Sequence, residues 1–455
     1  MKRWNNSLKA NHMVWIKFKN NSLNVGICTF MLLLMTSKTG SAQIKLTLKD
    51  AISKGLGEAY SLQQNRILVE NAKLRNSLGF SGALPTISGG ISQNGQMNSI
   101  RQELLNGTII DRRNALSQTF NANALLNLTL YNGGRIKNTK LGLQSAELLA
   151  TLTLTKAQID VAANIALGFY DLMRKKALKA ALEKTVEVSR EKLKVVQLRE
   201  KVGLMPSLDV YQAEVELNTN ELLLADQQLI IEQAEIELKR LLQIPQNDAI
   251  VLDGKIEVDS TLTFTQMESA ILKNPDVDIA SELTKAAGYQ AKQIEALRMP
   301  TLGFSANYTF NRNQNQAGFS LLSQSLGPSA VIGLNIPIYA GNTLQRNAKI
   351  AQQQVKIAGI NEQQVKTNQE AALAKLFSSY KNEVVQTKKQ QRNFELSQQL
   401  LDGNLKRLNA NQITLSDFTE TQRSYEVAAY NLFNHLYLGK VAEIELKRLS
   451  GITDF

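Results

Sequence analysis

Hydrophobic and polar positions along this chain follow two periods. In four short stretches they alternate. Phe120, Ala122, Ala124, Leu126, Leu128 and Leu130 interleave with Asn121, Asn123, Asn127 and Thr129, with Leu125 the one break. Leu302, Phe304, Ala306, Tyr308 and Phe310 interleave with Thr301, Gly303, Ser305, Asn307 and Thr309. Ile332, Leu334, Ile336 and Ile338 interleave with Gly333, Asn335 and Pro337, and Ile87, Gly89 and Ile91 form a weaker, glycine-rich fourth. A period of two predicts strands with one apolar and one polar face, placed at about 84–97, 119–131, 300–310 and 329–339. Elsewhere the period is helical: two very long runs, about 138–201 and 344–408, each lead through a short interruption into another helix, 209–242 and 417–449. Runs of ~65 residues reach roughly 100 Å at 1.5 Å per residue, which suggests coiled coil rather than a globular helix.

The second helix of each pair carries two apolar stripes. Val210, Leu217, Leu224, Ile231 and Leu238 recur in sevens, and so do Val215, Leu222, Leu229 and Ile236. The stripes sit two residues apart, about 200° around the helix, so they occupy opposite flanks. The later helix repeats this with Phe418, Tyr425, Leu432 and Leu446 against Tyr430, Tyr437 and Ile444. A helix at the edge of a solid core shows one stripe. Two stripes separated by Gln212, Glu214, Asn218, Asn220, Gln227 and Gln228 predict a curved wall, which rolled up makes a tube.

The chain is also a duplication. Leu46-Thr47-Leu48 recurs as Leu262-Thr263-Phe264, and Leu84-Pro85-Thr86 as Met299-Pro300-Thr301. Leu130-Tyr131-Asn132-Gly133 recurs as Ile338-Tyr339-Ala340-Gly341, and Asp209-Val210 as Asp417-Phe418, the last two at one shared offset of 208 residues. Two repeats follow, 43–250 with a helical hairpin at about 138–243, and 251–455 with one at about 344–450. Pro245, Asn247, Asp248 and Gly254 mark the boundary.

The first 42 residues stand apart. Lys2, Arg3, Lys9, Lys17 and Lys19 precede an apolar run from Val25 to Met35, then Gly40-Ser41-Ala42. This is the pattern of a secretory signal peptide over 1–42, with translation beginning at Met1 or Met13. Its apolar run is about half the ~20 residues of a spanning helix. Removing it takes away six of the 52 basic residues and none of the 40 acidic ones, leaving a net charge of +6. That charge is scattered, whereas nucleic-acid binding shows as a clustered basic face. Cys28 lies within the apolar run, so the remainder has no cysteine and a single histidine, His435. Disulfides, thiolate nucleophiles and multi-histidine metal sites are thereby excluded. The residues give no pattern for an enzyme or a cofactor.

Strands of ~9–11 residues with tyrosines near their ends (Tyr131, Tyr308, Tyr339) fit tilted transmembrane strands and the aromatic belt at a membrane interface. In a bilayer every backbone N–H and C=O must be paired inside the structure. Four strands cannot close, since spanning barrels start at ~8. Copies of the chain must therefore associate, and three would give twelve strands.

The order of helix, strand pair and helical hairpin, twice over, resembles the outer-membrane efflux factor family of the TolC type across essentially all of the sequence after residue 42. So do the two Tyr-x-Gly turns and Val202-Gly203-Leu204 followed by Asp209. The resemblance implies a mainly α fold with membrane β: a homotrimer with a 12-stranded outer-membrane β-barrel on a periplasmic α-helical barrel. It implies an exit duct of a tripartite efflux or type I secretion system, with a periplasmic adaptor protein and an inner-membrane pump as partners; the residues by themselves also fit a periplasmic coiled-coil scaffold or adhesin with a soluble β domain and no channel. Val202, Gly203 and Leu204 match the family's adaptor contact; the second half carries Ala410-Asn411-Gln412 and departs from it. Gly203 equally suits plain helix termination before Pro206. Asp417 and Glu420, with Asp209 in the first half, match the acids that narrow the family's periplasmic entrance. An aspartate opening a helix is also a natural N-cap or dipole partner. A basic residue that latches the entrance in the best-known members is replaced by Ile413. The cargo, whether drug, metal or protein, is not written in the sequence.

Overall fold

The computed structural model describes residues 44–271, 273–453 and 455; the expected signal peptide, both candidate starts and Cys28 lie outside them. Each repeat opens on short helices capped by the duplicated threonine. Thr47 accepts from the Asp50 N–H at the start of α1 (Leu48–Glu58), and Thr263 accepts from the Gln266 N–H at the start of α6 (Phe264–Ile271). In the first repeat α2 (Tyr60–Arg75) and α3 (Leu78–Ser81) follow, then strands β2 (Thr86–Glu103) and β3 (Ile109–Tyr131). The hairpin is α4 (Arg135–Lys201) with α5 (Ser207–Leu241). The second repeat has α7 (Pro275–Glu295), strands β5 (Thr301–Asn315) and β6 (Leu322–Asn335), then α8 (Thr343–Asn409) with α9 (Leu415–Leu449). Hairpin helices of 67 and 35 residues occur in both halves, every boundary 208 residues from its counterpart. A short parallel pair, β1 (Ile44–Leu46) with β4 (Ile250–Leu252), ties the start of the first repeat to the linker after it.

The four long strands form one antiparallel sheet in the order β2-β3-β5-β6, leaving β2 and β6 as free edges. The pairing register puts every alternating stretch on the same side. Ile87 and Ile91, Leu128 and Leu126, Leu302, Phe304 and Phe310, and Leu334, Ile332 and Leu326 share one face. The other face is Asn, Ser, Thr and Gly with Leu125 and Val331. From Leu302 to Phe310 the apolar band runs about 27 Å along the strand, or about 20 Å once tilted as membrane strands are.

The strands differ from the sequence expectation at their ends. Asn-, Gln- and Ser-rich stretches beyond the expected bounds continue as strand, so the turns shrink to residues 104–108 and 316–321. Backbone pairing, which has no hydrophobic signature, carries these extensions: Asn98 faces Ala115 and Glu103 faces Ile109. At the other end β6 stops at Asn335, short of Tyr339. Tyr308 is therefore not near a strand end but midway along β5, between Ala124 and Pro328. Tyr131 closes β3, and Phe120 stacks edge-on against Phe310 at 5.9 Å on the far side of the band.

The helices form a wall rather than a bundle with a single centre. Around α4 the core gathers Leu46, Ala51, Ile165, Phe169, Leu172, Leu238, Leu242 and Ile444. A second cluster between α4, α8 and α9 holds Val188, Leu401, Leu408, Phe418 and Tyr425, and a third joins Met267, Leu373, Tyr380 and Leu446. The two stripes of α5 meet different fates. Ile231 and Leu238 are buried, whereas Val215, Leu222, Leu229 and Ile236 remain 54–68% exposed. Among the described residues no helix is long and apolar enough to cross a membrane.

Candidate functional site

The far ends of the two hairpins meet around a cleft of about 1230 Å³ that brings together all three acids singled out in the sequence, Asp209, Asp417 and Glu420. Both hairpins turn by the same local chemistry. At the end of α4 the Gly203 N–H donates to the Glu200 carbonyl (2.9 Å) and the Leu204 N–H to the Arg199 carbonyl (2.8 Å). At the end of α8 the Asn411 N–H donates to Leu408 (3.0 Å) and the Gln412 N–H to Arg407 (2.8 Å). Each pair is the Schellman arrangement, which needs a left-handed residue just past the helix. Gly203 supplies it at φ +74° and Asn411 at φ +59°. Gly203 thus terminates its helix, while Val202 and Leu204 beside it stay 62% and 71% exposed.

The next helices begin differently from expectation. Neither aspartate is an N-cap: Pro206 holds that place before α5, and Thr414, whose hydroxyl accepts from the Asp417 N–H at 3.1 Å, holds it before α9. Asp209 and Asp417 are each the third helical residue, where their charge still faces the positive end of the helix dipole. Glu420, one turn on, has no such role. Among the described residues no ion pair within 4.0 Å engages any of the three.

Four cations that sequence reasoning missed line the same cleft: Lys192, Arg199, Arg407 and Arg423. Lys192 is nearly buried, with its Nζ 2.6 Å from Glu216 and 2.5 Å from the Thr419 hydroxyl. One turn away the Ser189 hydroxyl accepts from Asn220 (2.9 Å) and Gln422 (2.7 Å). These contacts join α5, α4 and α9 through polar groups. The Arg199 guanidinium donates to the Leu408 carbonyl, bridging the ends of α4 and α8. Arg407 holds its counterpart place 208 residues later but turns to the Gln412 carbonyl of its own hairpin at 3.4 Å. That repeated arginine was a readable signal. Ile413 also lines the cleft. Burial, then the nearby Glu216 carboxylate, raises the pKa of Glu426 on α9 above the ordinary carboxylate range.

At the sheet, Tyr131 and Tyr339 are exposed where strands give way to helices. Gly133, just after Tyr131, has φ +65°, and a Cβ there would come within 2.4 Å of Met299.

Comparison with known proteins agrees with this geometry. The outer membrane efflux protein family model matches residues 51–242 and again 267–452, one match per repeat. No curated protein matches. Among solved structures, the Campylobacter jejuni CmeC outer membrane channel superposes with a TM-score of 0.74 at 17% identity, covering 89% of this chain and 85% of that one. A membrane protein from Pseudomonas aeruginosa gives 0.75 at 16% identity, with 90% and 92% covered. The outer membrane protein VceC from Vibrio cholerae gives 0.70 at 16% identity, with 89% and 96% covered. At such identities the likeness is one of fold. With both halves matched by the family model, the chain belongs to the outer membrane efflux protein family.

Proposed function

We propose that three copies of this chain form the outer-membrane exit duct of a tripartite efflux or type I secretion system. In this reading the duct stands in the outer membrane of a double-membraned bacterium, with its helices in the periplasm. A periplasmic adaptor docks at the hairpin tips, where Val202 and Leu204 present apolar surface beside Gly203, and an inner-membrane pump drives the substrate. The duct itself conducts passively and performs no catalysis.

The observation that carries this reading is that the chain is unfinished along its whole length. The free edges β2 and β6 leave backbone donors and acceptors unpaired, which a bilayer does not tolerate. They run in opposite directions, so β6 of one copy continues the antiparallel order into β2 of the next, and three copies give twelve strands. Below the sheet, the exposed stripe of α5 asks for a neighbour over the same height. Closure puts the polar sheet face, made of Asn, Ser, Thr and Gly, on the inside. Each of Asp209, Asp417 and Glu420 then occurs three times around the entrance, and rings of acids bias a pore toward cations.

Single-channel conductance of the purified protein, compared with Asp417→Ala/Glu420→Ala, tests this. The wild type is expected to form cation-selective pores, and the double variant to keep conductance and lose much of that selectivity. Pores indifferent to the change would remove the acidic entrance alone. A protein that stays water-soluble and forms no pores would remove the duct.

A further inference from the structure

The apolar band of the sheet ends differently at its two edges. At the edge next to the helices it ends in Tyr131 on β3, with Tyr339 exposed four residues beyond the end of β6. At the opposite edge the register places Gln93, Phe120, Arg312 and Gln324 in one row across all four strands, on the same face as Phe304 and Phe310. The next row on that face adds Gln118 and Gln314. Outward positions from Leu302 to Gln314 on β5, with their partners on the other strands, include no carboxylate. Arg312 is the only cation among them, it is exposed, and among the described residues it has no ion-pair partner within 4.0 Å.

We propose that this row binds a phosphorylated glycolipid of the outer leaflet, of the lipid A type, with Arg312 on the phosphate and the glutamine amides on the sugar. The inference rests on the barrel proposed above, which turns this face to lipid. Arg312 lies about 7 Å along the strand beyond Phe310, or about 5 Å along the membrane normal when tilted. That is within the headgroup layer, which adds roughly 5–8 Å to each side of the hydrocarbon. A guanidinium donates two parallel hydrogen bonds to phosphate, and its planar fork suits that group better than a carbonyl. Glutamine amides donate and accept, as sugar hydroxyls require. An unpaired cation with no acid in the rows from Leu302 to Gln314 matches an anionic leaflet, whereas the tyrosine edge matches zwitterionic phospholipid on the periplasmic side. A phospholipid-only contact would need no such asymmetry.

The test uses the full chain in phosphatidylethanolamine nanodiscs with and without bisphosphorylated lipid A, measuring retained lipid A by native mass spectrometry. Arg312→Gln is expected to lower retention about tenfold, the loss of one charge-assisted contact. Arg346→Gln, at the helix-side end of the barrel, is expected to leave it unchanged. Dephosphorylated lipid A should bind the wild type no better than it binds the variant. Equal retention by Arg312→Gln, an equal loss in Arg346→Gln, or displacement of lipid A by millimolar inorganic phosphate would each overturn the proposal. Failure of the wild type to insert into nanodiscs would remove the barrel itself; insertion with indifference to the phosphates removes the lipid site alone.

Discussion

The two repeats share a backbone and have diverged in what surrounds it. The hairpin helices are equal in length, their turns fall 208 residues apart, and four pairs of left-handed residues coincide: Gly133 with Gly341, Gly134 with Asn342, Gly203 with Asn411, and Gln243 with Gly451. Side chains at matching positions differ wherever their neighbours differ. α9 lies between α8 and α4, so Phe418, Tyr425 and Leu432 are buried and its second stripe closes progressively from exposed Tyr430 to buried Ile444. α5 has α4 on one flank only, and its second stripe stays open throughout. The duplication therefore fixes geometry, and position in the wall decides chemistry.

The largest effect is expected where the repeats differ most. Leu222→Glu/Leu229→Glu places charge on the open flank of α5. The single chain loses no internal contact of consequence, but a neighbour would have to bury two carboxylates, each costing several kcal/mol. The variant is expected to keep its helical content and lose its trimer, read by light scattering in detergent. A variant that assembles normally would show that this flank faces water. On the buried side the order inverts: Phe418→Ala should destabilise the protein by about 3–5 kcal/mol, and Val210→Ala, its half-buried counterpart, by about 1 kcal/mol. Thermal unfolding of the two variants would measure the gap, and equal losses would mean that both helices are enclosed in the assembly.

A smaller difference tests the hairpin turns. At φ +74° a Cβ on Gly203 costs about 1–2 kcal/mol, so Gly203→Ala should lower the melting temperature. Gly203→Asn should recover most of that loss, because asparagine already holds the same conformation at 411 and tolerates it best among non-glycine residues. Asn411→Gly should shift stability by only a few tenths of a kcal/mol. If adaptor-dependent export also falls in Gly203→Asn while melting is unchanged, the residue does more than end a helix.

Much of this was legible in the sequence, for reasons that also explain the rest. Helix periodicity and the 208-residue offset come from side chains that pack within the chain, and they located both hairpins to within a few residues. The sheet was legible only where one face is apolar. Its extensions through Asn98–Glu103 and Asn311–Asn315 are held by backbone bonds that leave no pattern. That is why Tyr308 appeared terminal and is central. At the hairpin tips the acids were found because they match the places of the entrance acids in the family that the chain resembles, but Lys192 and Arg199 approach from α4, Arg407 from α8 and Arg423 from one turn further along α9. Only the fold brings them together, and Thr414 rather than Asp417 takes the cap because the chain enters α9 one turn earlier.

The smallest effect sharpens the comparison at a single pair. Glu426 on α9 occupies the place that Asn218 holds on α5, exposed in the first repeat and half-buried in the second. Desolvation, reinforced by Glu216, raises the Glu426 pKa in the folded chain, against weaker opposition from Gln422 and Arg423. A raised carboxylate binds its proton more tightly when folded, so its contribution to stability is fully present below the unfolded pKa and is lost as pH rises through the folded one. Glu426→Gln, which mimics the neutral form and restores the uncharged character of Asn218, should leave stability unchanged at low pH. It should raise stability modestly at neutral pH, flattening the pH dependence over that window. Melting curves across pH 4–8 would read the difference. A variant that is less stable at neutral pH would instead mean that the ionised carboxylate pairs with Arg423 in the assembled wall, where the neighbouring copy has closed over it.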